Sequence, residues 1–290
     1  RLDKSGFKNI VNLEKYSSVL ENFSKKIKLK SKLYTIILKK LRPKAIIVED
    51  AHYCNRIDLV TIAKQLGIKV AEYQHGLINK NHLAYNFSNE IKERVRNYTP
   101  DEILFWGEYW SERTNISGKK VIVGYPYIEI KSLNLSHTPK KKPRVLLLSG
   151  GSIPQEYIKI SYWLLKELGE ENYEYVFRPH PSERIGINER YAELFKIGYK
   201  LDNDNLYESL SKSDICISLE FSTVLYEAVF FCKKVVLLLS QQSSLYIEDD
   251  ELPFIVLSDI NQLGNILSAE NSYTVKEWRY KLFYPAFKEA

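Results

Sequence analysis

Arg144-Val-Leu-Leu-Leu-Ser-Gly-Gly-Ser152 is the stretch that decides the architecture: an unbroken apolar run passes directly into two glycines. A run of this kind, with no polar alternation, suits a strand covered on both faces, the environment of a parallel sheet. The glycines then let the backbone turn tightly before a segment of helical period at 154–168. Reading outward, strands are expected at 144–149, 173–178, 214–218 and 234–239, with another near Phe254 to Leu257. Helices are expected between them at 205–212 and 222–232.

The same alternation precedes this block. Ala45 to Val48 reads as a buried strand, followed by a helix from Arg56 to Leu66 that stops at Gly67. Strands follow at 69–73, 102–106 and 120–123, the last ending at Gly124, with a helix beginning near Glu108. From Lys131 to Pro143 the chain turns to Ser, Asn, Pro and Lys with little apolar period, which reads as a linker. The expectation is therefore an α/β protein of two Rossmann-like domains facing each other across a cleft. They are a first domain at 1–130, a linker at 131–143, and a second domain at 144–271. An aromatic-rich C-terminal helix at 272–290 is expected to pack back toward the first domain.

Bulk properties narrow the classes. With 290 residues, 44% apolar and 27% charged, the chain falls in the globular range, which excludes a disordered protein. No run reaches the roughly 18 apolar residues that cross a bilayer; the longest, Ile215 to Ser240, is interrupted by Glu220, Glu227, Lys233 and Lys234. Cys54, Cys216 and Cys232 show no Cys-x-x-Cys spacing, so free thiols in a reducing cytoplasm are expected and a zinc site is not. The net charge of +6 is uneven: Lys25 to Lys44 holds nine lysines and arginines and no acid. Such a stretch is either a solvated helix face or a surface for an anionic membrane or acceptor. No aromatic-basic pattern accompanies it, which argues against nucleic acid.

In a doubly wound fold, chemistry gathers just past the carboxyl ends of strands. After strand 144–149 come Gly150, Gly151 and Ser152, whose amides can approach a phosphate. After strand 173–178 comes Arg178-Pro-His-Pro181, where two prolines hold His180 rigidly and Arg178 has the fork geometry for phosphate. The competing reading is a structural turn whose arginine pairs with a carboxylate such as Asp214. After strand 214–218 come Glu220, Ser222 and Thr223 at a helix start, with Glu227 about one turn further, placed to accept from ribose hydroxyls. In the first half, Gln74-His75-Gly76 follows strand 69–73, and Asp50 and His52 follow strand 45–48. His75 is the candidate general base, with Asp50 a second catalytic candidate. Gln74, Gly76, His82 and Tyr125 are expected on the acceptor side or in the cleft. A helix cap for Asp50 and surface positions for His52 and His82 are the structural alternatives.

At these motifs the chain resembles bacterial glycosyltransferases of the GT-B fold, especially those of capsule, lipopolysaccharide and related surface polymers. The likeness rests on the His75-Gly76 loop, Gly124-Tyr125-Pro126, Arg178-Pro-His-Pro181, and Ser213-Asp214 through Glu227 followed by Lys233-Lys234-Val235-Val236. The His-Gly and Arg-Pro-His-Pro pieces are also similar to CMP-sugar-using sialyl- and Kdo-transferases and to teichoic-acid glycerophosphotransferases. The acidic Asp/Glu-Asp/Glu-Gly motif of several bacterial sialyltransferases is missing. The resemblance implies a nucleotide-sugar donor, linked through CMP, UDP or GDP, and a glycan or lipid-linked acceptor. It implies no cofactor and no metal; Arg178, His180, the Ser222/Thr223 hydroxyls and the Gly150–Gly151 amides would offset charge on the leaving phosphate. A cytoplasmic enzyme resting on the inner face of the plasma membrane through Lys25–Lys44 fits this picture. Transfer of a polyol phosphate from a CDP-linked donor, epimerisation of a sugar nucleotide, and non-catalytic binding are the alternatives.

Overall fold

The computed structural model describes residues 13–53, 56–134, 141–247, 252–268 and 275–285. A long helix α1 (Leu13–Leu41) leads into β1 (Ala45–Val48), α2 (Ile57–Gln65), β2 (Lys69–Tyr73), α3 (Asn89–Val95) and β3 (Glu102–Phe105). Then come α4 (Glu108–Glu112), β4 (Lys119–Ile122), α5 (Pro126–Asn134), β5 (Arg144–Leu148), α6 (Pro154–Leu168) and β6 (Glu174–Arg178). Two short helices, α7 (Ile187–Arg190) and α8 (Ala192–Lys196), precede β7 (Lys200–Leu201), α9 (Leu206–Ser211), β8 (Ile215–Ser218) and α10 (Thr223–Ala228). The chain continues through β9 (Lys234–Leu238), β10 (Ile255–Leu257), α11 (Leu263–Ser268) and α12 (Val275–Leu282).

The strands form two separate sheets, one ordered β1-β2-β3-β4 and one ordered β10-β9-β8-β5-β6-β7. Every pairing in the six-stranded sheet is parallel, with Val145 to Leu148 of β5 opposite Ile215 to Ser218 of β8. Because β5 has β6 on one side and β8 on the other, the chain order reverses there, making the β5/β8 border the topological switch point. The chain is accordingly α/β with two Rossmann-like domains.

Packing divides the described residues into two compact units. Unit 1 runs up to Phe105 and takes in Arg113–Val121; unit 2 contains Trp106–Glu112 and the chain from Ile122 onward. The core of unit 2 interleaves Val145, Leu147, Phe177, Ile217 and Val236 of the sheet with Tyr157 and Leu164 of α6. These positions explain the unbroken apolar runs, since a parallel strand with helices on both faces has no solvent side. Unit 1 has a smaller cluster in which Leu38 of α1 and Val60 and Ala63 of α2 pack on Val48 and Val70.

Several expected bounds shift. Helix 154–168 and strand 69–73 keep theirs, while strand 120–123 moves one residue earlier and helix 222–232 ends at Ala228. Around its end, the Phe230 N–H bonds Glu227 and the Phe231 N–H bonds Ala228 across three residues, and the Ala228 carbonyl also takes the Cys232 N–H, so the regular α-helix gives way to turns. The stretch read as a linker, 131–143, begins inside α5, which starts at Pro126 and packs against α9. Proline at a helix start supplies the right φ and lacks only an N–H that has no partner there. Within 272–290, α12 packs on α4 inside unit 2, and Trp110 Nε1 donates to the Leu282 carbonyl at 2.8 Å. Residues 269–274 and 286–290 lie outside the described residues. Cys216 and Cys232 are buried free thiols, and Cys54 lies outside the described residues. Among the described residues no helix is long and apolar enough to cross a membrane.

Candidate functional site

In unit 2 the candidate residues lie past the ends of β5, β6 and β8, around the switch point. Gly151 has φ +97°, which a side chain resists, and Gly150 sits so close to Glu220 that a Cβ would come 2.6 Å from its carboxyl carbon. The reason is a tight set of bonds. The Gly150 N–H donates to Glu220 Oε2 at 2.5 Å, the Ser152 N–H donates to Oε1 at 3.1 Å, and the Ser152 hydroxyl also donates to that carboxylate. The glycine turn is thus built to receive an anion, and in this structure Glu220 of the same chain is that anion.

A second carboxylate organises the Arg178–Pro181 loop. Glu183, only 1% exposed, accepts from Ser149 Oγ at 2.6 Å, Tyr191 OH at 2.5 Å and the His180 N–H at 3.0 Å. Burial opposes its charge, but these donors prevail and hold its carboxyl below the usual range. The Ser182 N–H donates to His180 Nδ1 at 3.2 Å. A backbone N–H can only donate, so in neutral His180 Nδ1 carries the lone pair and the proton sits on Nε2. The exposed ring therefore offers Nε2–H to a ligand, a donor suited to phosphate or to a base edge.

Arg178 does pair with a carboxylate, but not with Asp214. Its Nη1 lies 2.6 Å from Asp202 Oδ2 and 2.9 Å from the Asp204 carbonyl, while Asp214 pairs with Lys233 at 2.9 Å. Asp202 holds the guanidinium at the carboxyl edge of β6 and also accepts from the Ser209 hydroxyl. On the β8 side, Ser222 precedes α10 with extended backbone and makes no side-chain cap bond. Glu227 is buried within α10 and accepts from Tyr207 OH, whose other neighbour is Tyr125 OH at 3.4 Å. Burial raises its carboxyl from the ordinary value near 4.5 to about 7. Tyr125, expected with the first half, belongs to unit 2, where it stacks on Trp106 at 4.5 Å.

In unit 1 the turn after β1 carries the chemistry. Asp50 has φ +55°, a left-handed conformation that a non-glycine residue adopts at a cost. Its Oδ1 lies 2.8 Å from His75 Nε2, so neutral His75 donates Nε2–H to Asp50 and keeps its lone pair on Nδ1. That is the pairing of a general base with an orienting carboxylate. Tyr53 OH bonds His82 Nε2 at 2.7 Å. Burial, followed by the nearby His75, lowers the His82 pKa, which keeps that ring neutral. Gln74 is fully buried, its Nε2 donating to the Gly76 carbonyl at 2.9 Å, so it shapes the His75 loop from beneath.

The structure adds residues that the sequence reading passed over. Glu72, fully buried in β2, accepts from Tyr85 OH at 2.6 Å and bonds His52 Nδ1. Glu183, Asp202 and Tyr207 were missed as well. The one available signal for Glu72 was its place two residues after Val70, on the same face of the strand. Among the described residues, no group of three His, Cys, Asp or Glu side chains gathers in metal-binding geometry.

No protein-family model matches this sequence, and no characterised protein matches it by sequence. Solved structures do match by fold, and the fold they share is that of the GT-B enzymes, a class of glycosyltransferases and UDP-GlcNAc 2-epimerases. MnaA from S. aureus, solved with UDP, is 13% identical, with 91% of this chain and 78% of that one covered at a TM-score of 0.59. A protein assigned as a UDP-N-acetylglucosamine 2-epimerase from Listeria monocytogenes is 12% identical, with 90% and 75% covered at 0.58. MurG from Acinetobacter baumannii is 12% identical, with 89% and 73% covered at 0.52.

Proposed function

We propose that this protein is a metal-independent glycosyltransferase that moves a sugar from a nucleotide-sugar donor to a glycan or lipid-linked acceptor in bacterial surface polysaccharide synthesis. The observation that carries the reading is the placement of Arg178, His180, Ser222 and Thr223 just past the ends of β6 and β8, the two strands that flank β5 at the switch point of unit 2, with Glu227 following in α10. Arg178, held by Asp202, and the Nε2–H of His180 supply positive charge and a donor for the departing phosphate. Glu227 accepts from the ribose hydroxyls. In unit 1, His75 takes the acceptor hydroxyl's proton on Nδ1 while Asp50 stabilises the imidazolium.

The shared fold with MnaA, solved with UDP, supports a nucleotide-linked donor. The nine cations of Lys25–Lys44, most of them along exposed positions of α1, support a peripheral seat on an anionic membrane, where a lipid-linked acceptor would be met. A thermal-shift series with CMP, CDP, UDP and GDP tests the donor site, because a ligand that binds only the folded state raises the Tm. One responding nucleotide fixes the donor class; silence from all four removes the donor assignment.

The fold likeness to epimerases favours one second reading, interconversion of the nucleotide sugar itself. It requires turnover of the nucleotide sugar with no acceptor present, whereas a transferase leaves the sugar unchanged until an acceptor is added.

A further inference from the structure

The four-residue turn after β1 delivers three side chains to three different partners. Asp50 reaches His75, His52 reaches Glu72, and Tyr53 reaches His82, while the Tyr53 N–H closes the turn on the Asp50 carbonyl at 3.1 Å. Only one of these contacts is anchored in the core. Asp50 and His75 side chains are 45% and 27% exposed, and an exposed pair of that kind does not hold a strained backbone by itself. His52 and Glu72 side chains are 0% exposed. Glu72 sits on β2 three residues before His75, so the anchor and the base share one strand and its exit.

The anchor is an odd one for a merely structural role. Glu72 is a carboxylate in the middle of a buried strand, satisfied by Tyr85 OH and His52 Nδ1. His52 Nε2 is buried with no protein partner, a cost that an apolar residue at the same place would avoid. The ring is boxed in by Tyr85 at 4.8 Å and Phe87 at 6.2 Å, so its orientation is fixed.

We propose that His52 is a positioning residue: its bond to Glu72 pins the Asp50–Tyr53 turn, and the turn in that state holds Asp50 against His75 Nε2. The proposal rests on the reading of His75 as the base, and it adds the part that keeps the base in its working tautomer. Without the anchor, the left-handed Asp50 relaxes toward ordinary backbone, its carboxylate leaves His75, and the imidazole no longer keeps its proton on Nε2. Tyr53 shifts with the same turn and releases His82.

The test reads the tautomer directly and needs no substrate. The chain has five histidines, few enough to assign in a ¹⁵N-edited imidazole spectrum of the whole protein. In the wild type, His75 is expected to show the Nε2–H tautomer with an exchange-protected Nε2 proton, and Asp50→Asn is expected to remove that protection. Asparagine and leucine are close in size, but only asparagine puts an N–H near the place of His52 Nδ1. His52→Asn is therefore expected to keep the His75 signature, and His52→Leu to lose it while Asp50 and His75 are both still present. If folded His52→Leu retains the wild-type His75 signature, the proposal is overturned and His52 only fills space. Should His52→Leu not fold, His52→Phe decides in the same way, because it fills the place of the ring with no N–H for Glu72. Loss of the signature together with an active His75→Ala protein would leave the wiring standing and remove the base instead.

Discussion

The two units place polar groups at equivalent positions, just past the ends of parallel strands, yet treat them oppositely. In unit 2 many of the donors are already matched to carboxylates, with the His180 Nε2–H left facing outward: Gly150 and Ser152 to Glu220, Ser149 and Tyr191 to Glu183, Arg178 to Asp202, Tyr207 to Glu227. In unit 1 imidazoles dominate, and two of their nitrogens, His52 Nε2 and His82 Nδ1, are buried with no protein partner. A saturated network fixes geometry and suits binding. An imidazole carries both a donor and an acceptor nitrogen, which suits the movement of a proton. The proposed division of labour follows that difference: on this reading unit 2 is the donor side and unit 1 the side that takes the acceptor's proton.

The sharpest break of that division is His75→Ala. Turnover is expected to fall by about 10²–10⁴-fold, the range of a lost general base, with the nucleotide-induced rise in Tm unchanged. Normal turnover in this variant would end the assignment of proton transfer to unit 1. Arg178→Ala is the reciprocal case and should abolish the nucleotide response. It also strands Asp202, whose side chain is 3% exposed, and breaking such a buried pair costs roughly 3–5 kcal/mol. Arg178→Lys keeps a charge beside Asp202 but not the fork, so it should recover stability and only part of the nucleotide response.

Glu227 sharpens the comparison through pH. Its carboxyl titrates at about 7 in the folded protein and near 4.5 when unfolded. The raised value means that the stability it contributes is complete below about pH 4.5 and is lost as pH rises to 7, a change of about 3 kcal/mol. Denaturant unfolding across that window should show the slope in the wild type and not in Glu227→Gln. A wild type whose stability is flat between pH 5 and 7, or a slope that persists in Glu227→Gln, would mean that Glu227 is not the desolvated group. Nucleotide affinity should move the other way and increase from pH 6 to 8, since an ionised carboxylate is the better acceptor for ribose hydroxyls.

How much of the molecule was legible depends on what sequence patterns encode. Strand cores such as Val145–Leu148 and the residues that leave them, Gly150, Arg178 and His180, were legible because burial imposes apolar runs and turns demand glycine or proline. Partnerships were not. Arg178 chose Asp202 over Asp214 because a two-residue edge strand, β7, carries Asp202 to the carboxyl edge of β6, and two residues leave no periodic trace. Asp214 meanwhile lies before β8, at the amino end, where it accepts from the Arg144 N–H at 3.0 Å. Glu72 was hidden for a different reason. In a strand with burial alternating as in β2, a glutamate reads as a solvent-face residue, and only tertiary packing shows it facing His52 and Tyr85. The helix at Pro126 was obscured by the polar composition of residues 131–143.

The smallest expected effect lies in the two turns themselves. Gly151 of unit 2 and Asp50 of unit 1 both have positive φ, +97° and +55°, but only one is a glycine. Gly151→Ala should destabilise by about 1–2 kcal/mol, since a Cβ is strained there and meets the Glu183 side chain at 3.1 Å. Asp50→Gly relieves backbone strain of about 1 kcal/mol. Against that gain stand the looser unfolded chain, about 0.5–1 kcal/mol, and an exposed ion pair worth at most about 1 kcal/mol. Its melting temperature should therefore stay close to that of the wild type while turnover falls along with the His75 pairing. A residue whose removal costs activity and not stability is kept for the reaction. If Asp50→Gly instead melted far below the wild type with the activity of its folded fraction intact, Asp50 would be a structural residue like Gly151, and the two turns would differ in sequence alone.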